Sequence, residues 1–326
     1  MRLLIIGGTR FVGHAMAEAA LAAGHEVTVL HRNATEDLPD ARHLLADRDG
    51  DLSALGEGTW DATIDTCAYL PGQVASLADA LGDRGGHHLL VSTVSVYAEP
   101  AAAGATEDAE LLAAAEPEVT EVTGETYGPL KVACEAVARS RYADAGLTLV
   151  RPTYVVGPRD YTGRFPWWVR RLARGGPTLA PGPSDAPMQA IDARDMGRWV
   201  VALAADRVAG TFTAARPATT FGQLLEETAA ALGSSAELVR VDGDWLVGQG
   251  VDAAQLPLWS EGTPEQALAM STDRAESVGL THRPWADVVR DTLAWAEADP
   301  ESAAGRGLGL SPEREQELLA AWRARA

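Results

Sequence analysis

The sequence predicts an α/β fold, a doubly wound parallel Rossmann sheet with a smaller C-terminal α/β substrate-binding region. In the N-terminal half, short apolar runs alternate with helical stretches, which is typical of βαβ units. A glycine-rich turn, Gly7 to Gly13, joins the first apolar run to the first helical stretch. We therefore expect residues 1–158, joined by 188–215, to form the dinucleotide-binding domain. Residues 159–187 and 216–326 are expected to form the substrate-binding region.

Each element of the N-terminal half follows from its own pattern. Buried strands are predicted at the short apolar runs, residues 3–6, 26–31, 43–46, 62–66, 88–92 and 147–151. Helices are predicted at residues 11–23, from Pro71 to near Gly82, and at 126–143. Residues 99–122 are rich in Ala, Glu and Pro with little periodicity. We expect them to form a long surface excursion that can fold over the site.

The pattern is broken beyond residue 151. Helices are predicted at residues 163–174, 193–205, 221–232 and 285–298, and a strand at 188–191. The segment GGPTLAPGPSDAP, residues 175–187, predicts turns. A last helix begins with Ser311 as N-cap and Pro312 as its first residue.

Composition excludes several classes of function. Of the 326 residues, 46% are hydrophobic, which is ample for a core, and the net charge of −19 argues against nucleic acid as a partner. No apolar run approaches the length of a membrane span, and the N-terminus shows no signal-peptide pattern. Two cysteines, Cys67 and Cys134, are too few for a disulfide framework, and the histidines show no metal-ligand spacing. We expect a cytoplasmic protein without a metal site.

The glycine-rich turn predicts a dinucleotide site. Gly7 and Gly13 allow the backbone to turn tightly and the helix to approach the sheet. The helix N-terminus then offers N–H groups and a positive dipole to a pyrophosphate. We expect cofactor contacts from the turn residues, listed here: Gly7, Thr9, Arg10, Phe11, Val12 and Gly13.

The end of the second strand favours NADP(H) over NAD(H). Sites specific for NAD usually place Asp or Glu there to bind the ribose 2′-hydroxyl. This chain places His31 and Arg32 there, and Arg10 stands at the turn where a third glycine is often found. Two guanidinium groups suit a 2′-phosphate. NAD stays the alternative, with Arg32 as a solvated charge and Arg10 packed on the adenine.

A serine/threonine strand end and a YxxxK helix predict the catalytic residues. Tyr127 and Lys131 are four residues apart, so they share one face of a helix. An ammonium beside a phenol favours the phenolate, so such a tyrosine can exchange a proton with a substrate hydroxyl or carbonyl. Thr93, or Ser92 beside it, would hold the same substrate oxygen.

Five segments in order carry a resemblance to a known family: GGTRFVG, STVSVY, TYGPLKVACE, VRPTYVVGP and QAIDARDMGRW. Over about residues 1–215 the chain resembles the extended short-chain dehydrogenase/reductase superfamily of NAD(P)-dependent epimerases, dehydratases and reductases. With an arginine in the GGTRFVG segment, the chain resembles an atypical branch of this superfamily that includes chloroplast stem-loop RNA-binding proteins. The resemblance implies Tyr127 as acid/base, Lys131 as ribose ligand and Thr93 as ligand of the substrate oxygen. It also implies Phe11 and Val12 at the pyrophosphate and Asp47 near the adenine.

Departures from the family pattern narrow the expected substrate. Nucleotide-sugar enzymes usually carry an Asn where VRPTYVVGP has Tyr154, whereas the RPxxVxGP form resembles reductase members. Val94 and Ser95 follow Thr93, so the acid pair of the sugar dehydratases is missing.

The segment GPRDYTGRFPWWVRRLARGG is locally basic and aromatic in an acidic protein. We expect Arg159, Arg164 and Trp167, with Tyr154, to bind a ring-containing or anionic substrate by stacking and guanidinium contacts. The alternative is a packed tryptophan and a solvated helix face.

The sequence thus predicts an NAD(P)-dependent oxidoreductase that moves hydride between nicotinamide and a carbonyl or hydroxyl carbon of a small metabolite. One alternative is a sugar or nucleotide-sugar epimerase with transient oxidation. The other is a non-catalytic cofactor-sensing or RNA-associated protein. Because family members often pair through the helix that carries YxxxK, a homodimer is also possible.

Overall fold

The computed structural model describes residues 1–33, 37–98, 103–143, 146–260 and 269–325. Residues 99–102 of the expected excursion lie outside the described residues. The chain divides into two compact units. The first comprises Met1–Tyr154, Ala193–Arg216 and Met270–Thr281, and the second comprises Val155–Asp192, Pro217–Ala269 and His282–Ala326.

In the described ranges, thirteen strands are labelled in chain order. The first six are β1 (Arg2–Ile6), β2 (Glu26–His31), β3 (Arg42–Leu45), β4 (Ala62–Asp65), β5 (His87–Val91) and β6 (Leu147–Pro152). The others are β7 (Tyr154–Val156), β8 (Gly176–Pro181), β9 (Pro187–Met188), β10 (Ala190–Asp192), β11 (Gly210–Ala214), β12 (Thr219–Thr220) and β13 (Ala236–Val241).

The same part of the chain contains eleven α-helices, labelled in the same way. The first five are α1 (Phe11–Ala22), α2 (Pro71–Leu81), α3 (Tyr127–Arg141), α4 (Arg164–Ala173) and α5 (Ala193–Asp206). The others are α6 (Phe221–Ala231), α7 (Gly243–Gly248), α8 (Asp273–Ser277), α9 (Trp285–Ala298), α10 (Pro300–Ala304) and α11 (Pro312–Arg323). Short 3-10 turns occupy Ser53–Leu55, Gly82–Gly85 and Val94–Val96.

The first unit is built on a seven-stranded sheet in the order β11-β6-β5-β4-β1-β2-β3, and each neighbouring pair is parallel. Strand β2 lies on one side of β1 and strand β4 lies on its other side, so the direction in which strands are added reverses at β1. In open parallel sheets, ligands bind beyond the carboxyl ends of the strands at such a switch point. The predicted fold class, a doubly wound parallel Rossmann sheet, is confirmed.

Helices cover the sheet because its strands are apolar on both faces. Leu4 and Ile6 of β1 pack with Leu77 and Leu81 of α2 in one buried cluster. Successive side chains of a strand point to opposite faces, so Leu3 and Ile5, also fully buried, face the other way. On α5, a Cβ atom at Gly197 would lie 2.8 Å from the carbonyl oxygen of Ala15, which shows how closely α1 and α5 pack.

Strand β11 is an addition to the predicted sheet. It pairs with β6 from Gly210↔Thr148 to Ala214↔Pro152 and forms one edge of the sheet. Its sequence, GTFTA, holds a single large apolar residue, Phe212, so apolar periodicity gave no signal there. Backbone pairing and the burial of Thr213 stabilise this strand in place of a row of apolar side chains.

The described part of the excursion is anchored to the first unit through buried charges. The Glu107 carboxylate accepts a hydrogen bond from Thr213 N at 2.7 Å and pairs with Arg274 Nε at 3.1 Å. Arg151 donates to the Glu107 carbonyl at 3.1 Å and pairs with the buried Glu135 at 2.6 Å. These contacts explain how a segment with little apolar periodicity is held in place.

Glu107→Ala is therefore expected to lower the free energy of unfolding by about 1–3 kcal/mol, because the buried Thr213 N–H loses its acceptor. Loosening of the excursion should be measurable as faster cleavage by a Glu-specific protease within residues 110–125. Glu107→Gln is the matched control, since the amide oxygen can still accept from Thr213 N. Equal protection of Glu107→Ala and wild type would contradict this anchoring role.

The second unit corrects the prediction of turns over residues 175–187. Strand β8 occupies Gly176–Pro181 and pairs in parallel with β13 in a two-stranded sheet. Proline is tolerated there because β8 pairs with a strand on one side only. On the buried Leu179, the backbone N–H donates to the Glu315 carboxylate at 3.0 Å, so a side chain completes the pairing.

The predicted strand over residues 188–191 is also wrong in its bounds. Two separate short strands replace it, β9 ending at Met188 and β10 beginning at Ala190, with Gln189 between them. In the parts of the chain that the structure describes, no helix combines the length and apolarity needed to cross a bilayer.

Candidate functional site

The predicted phosphate turn joins β1 to α1 at the switch point of the sheet. Gly7 has φ +84°, and a Cβ atom on it would lie 2.7 Å from Cys67 Sγ. A Cβ atom on Gly8 would lie 2.8 Å from Val29 Cγ1. At Gly13 it would lie 2.3 Å from the carbonyl oxygen of Gly7. Packing therefore requires glycine at each of these positions.

Gly13→Ala is expected to separate α1 from the turn, because the added methyl group would overlap backbone rather than a flexible side chain. Overpacking of this kind typically costs about 1–3 kcal/mol, and the amide groups of the helix end would move as well. We expect a lower melting temperature and loss of dinucleotide binding by fluorescence titration. Gly72→Ala, on the exposed first turn of α2 with no atom within 4 Å of the added Cβ, controls for loss of a helical glycine. Unchanged binding by Gly13→Ala would contradict the assignment of this turn.

The N-terminus of α1 fits an anion such as a pyrophosphate. Arg10 is the N-cap residue, and its side chain makes no capping hydrogen bond to the helix. The first amide groups of a helix have no partners within the helix, and the dipole adds positive potential there. Thr9 and Val12 are half-buried and Phe11 is buried, with φ +37°. A dinucleotide phosphate would complete this helix end.

The predicted adenosine end lies at the carboxyl ends of β2 and β3. His31, the last residue of β2, is buried, and its ring contacts His43 of β3 at 2.7 Å between Nε2 and Nδ1. Arg32 is exposed. Asp47 is exposed and accepts a hydrogen bond from Asp49 N at 3.1 Å.

Thr93 begins a short 3-10 turn at the end of β5. Its Oγ1 accepts from Ser95 N and donates to Ser95 Oγ, both at 3.1 Å. The first turn of α3 packs directly on this turn, since a Cβ atom at Gly128 would lie 2.3 Å from the Ser95 carbonyl oxygen. The structure thus brings Thr93 and the half-buried Tyr127, which precedes Gly128, to neighbouring turns. Among the described residues, the buried Ser92 Oγ has no hydrogen-bond partner.

Lys131 is buried one helical turn after Tyr127. Its ammonium donates to the carbonyl oxygens of Ala68, at 2.7 Å, and Val91, at 2.8 Å. Burial lowers the pKa of Lys131, and the Asp65 carboxylate is among the charges that oppose this shift. The two carbonyls come from the loop after β4 and from the last residue of β5, so the lysine connects α3 to both segments.

A buried ion pair fixes the loop that supplies Ala68. The Arg48 guanidinium binds both carboxylate oxygens of Asp65, at 2.6 and 2.8 Å, and also donates to the Gln73 carbonyl at 3.1 Å. Burial opposes ionisation of Asp65, but the charge and hydrogen bonds of Arg48 hold the pKa of that carboxyl below its ordinary value. The same carboxylate accepts from Cys67 N at 3.2 Å.

Gln73 extends this support to the next residues of the loop. Its Oε1 accepts from Tyr69 N at 2.8 Å, and its Nε2 donates to Asp49 at 2.6 Å. The Tyr69 ring, 43% exposed, stands 6.3 Å from the Tyr127 ring between centroids. The loops after β3 and β4 are therefore joined by hydrogen bonds and an ion pair, and they place an aromatic side chain beside Tyr127.

The predicted substrate residues fall in two places. Tyr154 is half-buried at the start of β7. In the second unit, Arg159 is exposed with φ +67°, and Arg164 donates to Thr162 Oγ1 at 3.2 Å. Trp167 is half-buried and packs edge-on against Trp168, 4.7 Å between ring centroids. Their role in substrate binding stays a prediction.

Sequence reasoning missed the supporting residues Arg48, Asp65, Gln73 and Tyr69. A carboxylate that ends an apolar strand was the available signal for Asp65, but its partner could not be found from spacing. Among the described residues, no group of three or more His, Cys, Asp or Glu side chains is arranged to hold a metal ion.

Comparison with known families matches residues 3–214 to the model described as the NAD dependent epimerase/dehydratase family. The chain belongs to this family. The match spans the phosphate turn and the Thr93, Tyr127 and Lys131 set. Membership in the NAD dependent epimerase/dehydratase family confirms the predicted resemblance and the prediction of an NAD(P)-dependent enzyme.

Two solved epimerases share the fold. The UDP-N-acetylglucosamine 4-epimerase of Bacillus cereus superposes with a TM-score of 0.68 at 18% identity, covering 91% of this chain and 96% of that one. The UDP-glucuronic acid 4-epimerase of Bacillus cereus, in complex with NAD, gives 0.65 at 15% identity, covering 91% and 99%.

A curated relative is the chloroplast stem-loop binding protein of 41 kDa b from Arabidopsis thaliana. It is 25% identical over 198 residues, 55% of this chain and 49% of the relative. The chain spans about half the length of this relative, so the stem-loop binding in the relative's name is not assigned to this chain.

Proposed function

We propose that this chain binds a nicotinamide adenine dinucleotide at the β1–α1 turn and catalyses hydride transfer at a carbon that bears a hydroxyl or carbonyl group. The observation that carries the proposal is the arrangement of Thr93, Tyr127 and Lys131, with the lysine ammonium fixed by two backbone carbonyls. When bound, the nicotinamide supplies or accepts the hydride.

The chain's own residues account for the proton. In this proposal Tyr127 accepts the proton of a substrate hydroxyl, or donates one to a carbonyl. Lys131 contributes a positive charge one helical turn away, which favours the phenolate form of the acid/base. Thr93 holds the reacting oxygen through its hydroxyl, and the Tyr69 ring lies beside the Tyr127 ring. The aromatic and basic segment at Arg159, Arg164 and Trp167 is proposed to contact the substrate.

Epimerisation is the second candidate function. Solved structures with the same fold include 4-epimerases of UDP-sugars, and transient oxidation of a sugar carbon would use the same three residues. In that case the dinucleotide returns its hydride to the substrate, so no net change of redox state occurs.

The chemical form of the dinucleotide is the finer part of the proposal. The Bacillus cereus neighbour in complex with NAD supports NAD(H). The absence of an acid at the end of β2, where His31 and Arg32 stand, supports NADP(H), which we propose as the preferred form. We further propose a cytoplasmic location, which the free thiols of Cys67 and Cys134 support. We also propose a homodimer, which the family resemblance supports.

Two measurements test the function. Titration of the purified chain with NAD+ and NADP+ establishes binding, and failure of both to bind contradicts the proposal. Incubation with UDP-sugars and with small carbonyl compounds is then followed by nicotinamide absorbance and by proton NMR. A change in absorbance identifies the oxidoreductase, and a new sugar epimer without such a change identifies the epimerase.

A further inference from the structure

The imidazoles of His31 and His43 form a chain of three close polar contacts. His31 Nδ1 lies 2.7 Å from the Asn33 carbonyl oxygen. His31 Nε2 lies 2.7 Å from His43 Nδ1. His43 Nε2 lies 3.0 Å from the Leu38 carbonyl oxygen. The rings meet edge-on, 4.9 Å between centroids and 87° between planes.

These contacts fix how many protons the pair must hold. A carbonyl oxygen only accepts, so His31 Nδ1 and His43 Nε2 must both carry a proton. The contact between the rings needs a third proton, on either His31 Nε2 or His43 Nδ1. Two neutral imidazoles hold one N–H proton each. All three hydrogen bonds therefore form together only when the pair has taken up one additional proton and carries a single positive charge.

The groups around the pair determine the pH range in which the additional proton is bound. Burial lowers the pKa of His31, the hydrogen bond to the Asn33 carbonyl raises it, and the second imidazole lowers it. In the free protein the pKa of His31 therefore lies below its ordinary value, which disfavours the additional proton. A nearby dianion would reverse this shift, because opposite charge favours the protonated pair.

The charged groups near the pair lie on α1 and on or beside β2 and β3. The β1 strand contributes only apolar residues beside β2, from Leu3 to Ile6. On α1, His14 is paired with Glu18 at 3.3 Å, and Arg10 stands at the helix start. Among the described residues on or beside β2 and β3, the charged groups that flank the pair in the sequence are Arg32, Asp37, Asp40, Arg42 and Asp47. None of these residues is a resolved cause of the His31 shift, which burial, Asn33 and His43 account for.

His31 of this pair is the last residue of β2, the strand that follows the phosphate turn and α1, and the adenosine ribose of the proposed dinucleotide would lie at this strand end. We propose that His31 and His43 form a proton-binding pair that recognises the 2′-phosphate of NADP(H), so that NADP(H) binds together with one proton and NAD(H) binds without it. This inference rests on the proposed function. Both nitrogens of His31 are used within the chain, so the pair acts through its charge.

Isothermal titration calorimetry in buffers of different ionisation enthalpy counts protons taken up on binding. The measurement is made at about pH 7.5, where a phosphate monoester with a second pKa of about 6 is a dianion. With NADP+ we expect uptake that approaches one proton, and with NAD+ none. Between pH 7 and 8 the Kd for NADP+ should rise up to about tenfold, relative to that for NAD+, as linkage to one proton requires.

His43→Asn is the decisive variant. Its side-chain amide can donate to a neutral His31 Nε2, so the contacts form without an additional proton, and proton uptake with NADP+ should disappear. His25→Asn, immediately before β2 at the opposite end of the strand, is the matched control and should behave as wild type. Binding of NAD+ shows that each variant is folded, and His31→Asn replaces His43→Asn if that variant does not bind.

The outcomes separate this inference from the proposed function. Binding of neither dinucleotide to the wild type overturns both. Binding of NAD+ together with NADP+ binding that takes up no proton overturns only the proton-binding pair. The same holds if His43→Asn takes up as many protons as the wild type, or if NADP+ does not bind.

Discussion

Replacement of Asp65 by Asn is expected to lower the free energy of unfolding by about 3–5 kcal/mol, a large share of the stability of a typical domain. Asp65 is fully buried, and its partner Arg48 is 8% exposed, so the variant leaves a guanidinium charge without a counterion. The loop with Ala68 and Tyr69 would lose its support at the same time. Urea denaturation followed by circular dichroism measures the change.

The dependence on pH gives this prediction a second readout. Because the folded-state pKa of Asp65 is lowered, its ionised form contributes stability above the ordinary aspartate range. That contribution is lost as the pH falls through the lowered folded value. The stability difference between wild type and Asp65→Asn should therefore be full at neutral pH and should shrink only in strong acid.

Asp61→Asn is the matched control for the ion pair. Asp61 precedes β4, and its carboxylate lies 3.8 Å from the Arg2 guanidinium, with the two side chains 40% and 50% exposed. The carboxylate also accepts a hydrogen bond from Arg2 N at 2.7 Å, which the amide oxygen of Asn can still accept. Exposed pairs contribute about 0–1 kcal/mol, so this variant should be nearly as stable as wild type. A similar small loss for Asp65→Asn would show that the buried pair does not hold the loop.

Tyr127→Phe is expected to lower kcat by about 10²–10⁴-fold, since the proposed acid/base group is removed while the ring stays. The Kd for dinucleotide should change little, because the phosphate turn lies on other elements. Steady-state kinetics with the substrate found by the screen, together with fluorescence titration of the dinucleotide, measure the two effects separately.

Tyr142→Phe tests whether loss of any tyrosine hydroxyl from α3 has this effect. Tyr142 is the C-cap residue of α3, about 22 Å along the helix from Tyr127. Its ring stacks on His88 at 3.7 Å between centroids, and its buried hydroxyl has no hydrogen-bond partner among the described residues. We expect full activity and unchanged or higher stability. Comparable losses of kcat in both variants would remove Tyr127 from the proposed mechanism.

Local patterns predicted the central sheet because its inner strands are short, apolar and buried on both faces. Strands β1, β2 and β5 and helix α1 lie within a residue or two of their predicted bounds. The patterns failed where partners, not apolar residues, create the strand. In β11 a polar pair of threonines flanks Phe212, and in β8 prolines and glycines conceal a strand whose edge is completed by Glu315.

Local sequence patterns likewise predicted only part of the candidate site. The glycine turn and the spacing of Tyr127 and Lys131 are local, so the sequence could predict them. Arg48 and Asp65 are 17 residues apart and meet only because β3 and β4 end at one edge of the sheet. Neither the carbonyl ligands of Lys131 nor the contact of His31 with His43 follows from a motif, since each depends on strand register.

The ion pair beneath the site also constrains how this protein can change over evolutionary time. Loss of Asp65 leaves the Arg48 cation in the interior without a counterion, and loss of Arg48 leaves the Asp65 carboxylate without one. Either single substitution therefore gives a less stable protein, whereas exchanging both residues for apolar side chains does not. Among descendants of a common ancestor, positions 48 and 65 should therefore vary together, and a mismatched combination should be rare.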